Sequence, residues 1–137
     1  MKTVICFLLG ISFAFAQKKS DWQSLFNGKN LDGWYIKISG RDVNENYKNT
    51  FLVEDKMLRV SYKEYETFGD NYGHIYYKTP YSHYILDYVY RFTGKQTTGG
   101  ATWNVRNSGV MFHSQSAQSL SYDQDFQYRS KCNFWVV

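Results

Sequence analysis

A chain of 137 residues has room for one ordinary domain, on a norm of roughly 100–200 residues per domain. Its 16 Lys and Arg against 12 Asp and Glu give a formal net charge of +4, but residues 17–126 hold 13 bases and all 12 acids, a formal +1. So neutral a body has no electrostatic footprint for DNA or RNA, which argues against a nucleic-acid partner.

Residues 1–16 are read as a signal peptide. Lys2 supplies a positive start, Val4 to Phe13 an apolar run, and Ala14-Phe15-Ala16 a small-residue cleavage signal before Gln17. The apolar run is shorter than the about 20 residues that a spanning helix needs, and no later segment is apolar enough to cross a membrane. The mature protein is therefore expected to be periplasmic or secreted. Cys6 leaves with the signal, so Cys132 alone remains and no internal disulfide is possible. No Cys/His spacing of a metal site is present.

Thirteen Tyr, ten Phe and four Trp with a single Pro describe a β-rich chain, because aromatics fit a pleated, half-buried surface. Ser20 to Phe26 predicts one capped helical turn that Asn27-Gly28 breaks. Trp34 to Ile38 predicts a strand. Phe51 to Glu54 and Met57 to Ser61 predict a hairpin turning at Asp55-Lys56, although Lys is less suited than Gly to positive φ. Tyr84 to Phe92 alternates most clearly: Tyr84, Leu86, Tyr88, Tyr90 and Phe92 share one face, which a second sheet is expected to cover as core. Gly94 to Thr102 is a loop, and Gly109 to His113 a further short strand. Short strands between turn signals predict an all-β sandwich.

The run Arg106-Asn107-Ser108-Gly109-Val110-Met111-Phe112-His113 gathers a guanidinium, a carboxamide, a hydroxyl and an imidazole around one glycine turn. His74, Tyr76 and Lys78 fall on one side of a strand. Plainer readings stand beside these. Asn107-Ser108-Gly109 suits a turn whose side chains bond their own backbone. The histidines suit structural or solvated positions, Lys78 a plain surface lysine, and Glu54 with Asp55 turn residues.

Leu25-Phe26-Asn27-Gly28-Lys29-Asn30-Leu31-Asp32-Gly33-Trp34 resembles the opening of the domains once called DUF1080, now described as 3-keto-disaccharide hydrolases or 3-keto-glucoside lyase/hydratases. Phe51 to Asp55, Met57 to Val60, His74 to Ser82 and Arg106 to His113 are similar to that family in order and spacing, over about residues 21–126. The resemblance implies a concanavalin A-like jelly-roll β-sandwich and a carbohydrate substrate, a 3-keto-glycoside. It implies an elimination chemistry in which a base removes the C2 proton and donors hold the enolate oxygen. On that reading Arg106 binds the oxyanion, Asn107 orients a sugar hydroxyl, and His113 serves as base or metal ligand. His74, Lys78 and Gln115 bind substrate. Neither a cofactor nor a metal requirement is fixed by it. The runner-up readings are a non-catalytic carbohydrate-binding jelly roll and an inactive remnant.

Two features depart from the family. Similar members carry an acid where this chain has Val89. After Gln124-Asp125-Phe126 they continue through a peptide rich in Glu, Val and Gln, whereas residues 127–137 read otherwise and end. Shifted by one base, the codons of Phe134-Trp135-Val136 contain Leu-Gly whichever synonyms are used, as the family peptide does. Residues 127–137 are therefore expected to be a frame-shifted tail, the sandwich incomplete, and the chain as written inactive and marginally folded.

Overall fold

A computed structural model describes residues 22–128 and 130–134. The signal-peptide reading of residues 1–16 lies outside them. Six short strands form in chain order: β1 (Trp34–Ile38), β2 (Phe51–Glu54), β3 (Met57–Val60), β4 (Gly73–Tyr77), β5 (Ser108–Phe112) and β6 (Ser130–Phe134). Single 3-10 turns at Tyr47–Asn49, Thr102–Asn104 and Ala117–Ser119 are the only helical elements among the described residues. The strands pair antiparallel as β1 with β4, β2 with β3 and β5 with β6. The described chain is thus all-β, an incomplete sandwich.

The β1–β4 ladder builds the core. Trp34, Ile36 and Ile38 point one way and oppose Tyr77, Ile75 and Gly73. Ile36, Ile38 and Phe51 of β2 are buried together, with Leu31, Tyr47 and Ile75 packed around them. Gly73 is required by that packing. A Cβ there would stand 3.2 Å from the Phe51 ring and from Ile38 Cγ1, tighter than ordinary contact.

On the other face of β1, Lys37 pairs across the ladder with His74 and is also buried. Its ammonium donates to the carbonyls of Ile38 (3.1 Å), Arg41 (2.7 Å) and Tyr122 (2.8 Å). Ser39 Oγ and the Gly40 amide bond Asp123 and Tyr122 carbonyls as well. The end of β1 is therefore stapled to a loop some 85 residues downstream. Burial pushes the Lys37 pKa down, partly offset by Asp42, Asp123 and Glu45.

The β2–β3 hairpin forms where the sequence predicts it, with its turn at Asp55 and Lys56. Both residues take positive φ, 52° and 59°, the primed-turn geometry that matches strand twist, so Lys56 adopts the conformation despite its side chain. The helical turn expected over Ser20 to Phe26 is not formed in the described residues 22–26. Instead Asn27 Oδ1 accepts the amides of Lys29 (2.8 Å) and Asn30 (3.0 Å), and this side-chain turn takes the place of a helix too short to nucleate.

The strand expected at Tyr84 to Phe92 needs correction. The segment joins no ladder, and most of its side chains are exposed, Ile85 by 82% and Val89 by 98%. Its rings rest on one another and on β5: Tyr88 on Tyr90 at 5.8 Å, Tyr90 on Phe92 at 5.6 Å, Tyr84 on Phe112 at 6.0 Å. The alternation predicts a second sheet over the aromatic face. No such sheet lies over it among the described residues, so the stripe is surface rather than core.

Candidate functional site

A continuous run of ring contacts crosses the molecule beside β4. Tyr47 meets Tyr65 edge-on at 5.6 Å, Tyr65 meets Tyr62 at 5.2 Å, Tyr62 meets Phe68 at 6.0 Å, and Phe68 meets Tyr72 at 4.9 Å. Tyr72 then branches to Trp103, stacked at 5.9 Å, and to Phe126 at 5.0 Å. Phe126 ends on His74 at 5.8 Å. Edge-to-face geometry is what ring quadrupoles favour, so the run sets itself without a strand ladder. Trp103 has one face against Tyr72 and remains 53% exposed.

His74 is fixed within this cluster. Its Nε2 lies 2.8 Å from the carbonyl oxygen of Asp125, which can only accept, so Nε2 donates this hydrogen bond. Its neighbours Lys37 and Tyr76 share the same face of the β1–β4 sheet. Tyr72, one residue before β4, has its phenol pKa raised by burial, partly offset by a hydrogen bond with Asn104.

Asn107 is tied to the same cluster through Trp103, and Arg106 precedes it in the turn. Asn107 Nδ2 donates to the carbonyl of Trp103 at 3.1 Å, and its amide to that of Asn104. This is the turn-forming use that the sequence allows, and it leaves Oδ1 for another donor. Arg106 takes φ of 49°, and its side chain is exposed with no ion pair or hydrogen bond among the described residues. A rigid, always-charged fork in that position is available to an anion.

The remaining sequence candidates lie elsewhere. His113 follows β5 while Arg106 precedes it, so the strand's length, about 13 Å at 3.3 Å per residue, separates them. Lys78 lies beyond the end of β4, with its ammonium 4.9 Å from the centre of the Tyr35 ring. Gln115 is consumed by structure: Nε2 donates to Ser119 O at 2.9 Å, and Oε1 accepts from Gln124 and from the Tyr128 amide. Gln124 in turn donates to Phe126 O at 2.7 Å, which holds the Phe126 ring in place.

Tyr72 and Trp103 carry no motif signal, and the sequence reading missed them. The only available hint for Trp103 was a large aromatic at the end of a Gly/Thr-rich loop. Among the described residues, no three His, Cys, Asp or Glu converge as metal ligands, and no helix is long and apolar enough to cross a membrane.

Comparison with known proteins bears on this arrangement. The family model described as 3-keto-alpha-glucoside-1,2-lyase-like domain matches residues 21–135, which includes β6 and most of the divergent tail. No curated protein and no solved structure matches the chain.

Proposed function

The chain belongs to the 3-keto-alpha-glucoside-1,2-lyase-like family, and on that premise we propose that it is an exported protein which, when full length, acts on 3-keto-glycosides by elimination and hydration. The 3-keto group acidifies the C2 proton. A base takes that proton, the C2 electron pair forms the enolate, and collapse of the enolate expels the C1 oxygen with its bonding pair. Water then adds across the new double bond.

In this reading Arg106 holds the enolate oxygen and Asn107 Oδ1 takes a sugar hydroxyl. The base is assigned to His74, whose ring meets Phe126 of the ring group, with His113 after β5 as the alternative. Lys78 and Gln115 lie outside that cluster, so neither is given a direct role. The observation that carries the reading is the Trp103–Tyr72–Phe126 ring group between the Arg106 turn and His74. Flat apolar faces flanked by polar groups fit the alternating C–H and O–H surface of a sugar ring.

The same observation supports a second reading, a carbohydrate-binding jelly roll without turnover, because one open indole face serves binding alone. Incubating the mature chain with 3-keto-trehalose and 3-keto-lactose separates the two. Release of the C1 leaving group supports the enzyme. Saturable binding to ordinary glycans without release supports the module, and neither result sinks both.

A further inference from the structure

A second concavity lies at the opposite end of the ring run. It is a groove of about 460 Å³ between the segment Arg59 to Tyr65 and the loop Thr93 to Thr98. That volume falls in the usual small-ligand range of about 300–1,000 Å³. Its charged lining consists of Arg59, Lys63 and Lys95, with no acid. Three bases without an acid stand out in a body where 13 bases face 12 acids.

Two of the nearby acids have partners, and Glu66, just past the groove, is exposed. Glu54 pairs with Arg59, and Glu64 accepts from Asn49 Nδ2 at 3.0 Å. Lys63 and Lys95 are exposed, and neither ammonium has a partner among the described residues. Hydroxyls of Ser61, Tyr62, Thr93 and Thr97 line the same groove. Burial raises the Tyr62 pKa, so its phenol remains a donor across the physiological range. The loops are tied together where Thr98 O accepts the Phe68 amide at 2.8 Å and Thr67 Oγ1 at 3.2 Å. Tyr62 also belongs to the ring run leading to Trp103. A low-lying wall with one sign of charge concentrates field on a ligand of the opposite sign.

We propose that this groove binds the carboxylate of an acidic saccharide, a uronic acid, through Lys63 and Lys95, with the hydroxyl-bearing wall taking the sugar. The saccharide part rests on the functional reading above, whereas the anion part stands on the groove itself.

The test is an amide shift titration of the mature chain with sodium glucuronate, glucose and inorganic phosphate as separate probes. Glucuronate is expected to move amides of residues 61–65 and 93–98, saturably, with phosphate and glucose much weaker. The Lys63→Gln/Lys95→Gln double variant alters two exposed side chains. It is expected to weaken glucuronate binding about tenfold, the equivalent of about 1.4 kcal/mol. No groove response to glucuronate, or an unchanged response in the double variant, overturns the proposal. Phosphate binding as tightly as glucuronate overturns its saccharide part. Turnover of 3-keto-trehalose is read separately, so failure of the groove and failure of the functional reading are distinguishable.

Discussion

Lys37 shows how a single residue sets both the fold and its pH response. Three carbonyls receive its ammonium, and the side chain is 2% exposed. Lys37→Met keeps much of the packing but takes the donor from the Arg41 carbonyl, at about 1–3 kcal/mol where water does not reach it, while Ile38 O keeps the Arg41 amide and Tyr122 O the Gly40 amide. An overall loss of about 2 kcal/mol is expected, seen as a lower urea midpoint with unchanged slope. A midpoint equal to the parent's would show that the carbonyl cage contributes nothing. The same residue releases its proton earlier when folded, because burial lowers its pKa. Its contribution to stability therefore rises with pH until the unfolded chain also deprotonates, near 10.4. Tyr62, Tyr65 and Tyr72 act in the opposite sense. Their folded values are raised by burial, so stability present below about pH 10 is lost as pH climbs through them. Once the lysine has deprotonated in the unfolded chain as well, above about pH 10.4, only the tyrosine effect still grows, and the melting temperature is expected to fall. Tyr62→Phe removes one of the three groups without breaking the Tyr65–Thr50 hydrogen bond of 2.6 Å, and should make the fall shallower. An identical pH profile for this variant would rule Tyr62 out as a contributor.

At the scale of elements, the β1–β4 ladder depends on a glycine. Gly73 has ordinary φ, so the objection to a side chain there is steric alone. Gly73→Ala gains about 0.4–1 kcal/mol from a stiffer unfolded chain. It meets a fully packed Ile38 and Phe51, where overpacking costs about 1–3 kcal/mol. Net destabilisation of about 1 kcal/mol is expected in the same urea measurement, and a stabilised variant would mean that the core yields. The register that makes Gly73 necessary was not legible in the sequence. β1, the β2–β3 hairpin and β5 could be read because alternation and turn residues are local. That β4 joins β1, thirty-odd residues away, is a long-range pairing that no local pattern reports. The site was legible to the same extent. Arg106, Asn107 and His113 looked like one constellation because they are close in sequence, but an extended strand between Arg106 and His113 carries them apart. His74 was named on its strand, whereas its partners Phe126 and the Asp125 carbonyl come from a segment some 51 residues along the chain.

The whole molecule has two unlike surfaces. One side is closed by the β1–β4 sheet, the Lys37 cage and the ring run. The other carries the Tyr84 to Phe92 segment, which joins no ladder among the described residues and leaves Ile85 and Val89 exposed. An exposed apolar segment outside any ladder is a surface on which another chain can dock. The mature protein is therefore expected to associate as its concentration rises, with a sedimentation coefficient that grows over the micromolar range. Ile85→Glu/Val89→Glu alters side chains 82% and 98% exposed, so it removes little buried area and should leave the melting temperature of the dilute protein unchanged. It should suppress association, because like charges would then line that face of the segment. Association that persists undiminished in this variant would place the sticky surface elsewhere, first on the exposed Met57, Leu58 and Val60 of β3. A protein that stays monomeric throughout would show that the rings stacked along Tyr84 to Phe92 satisfy one another without a covering sheet.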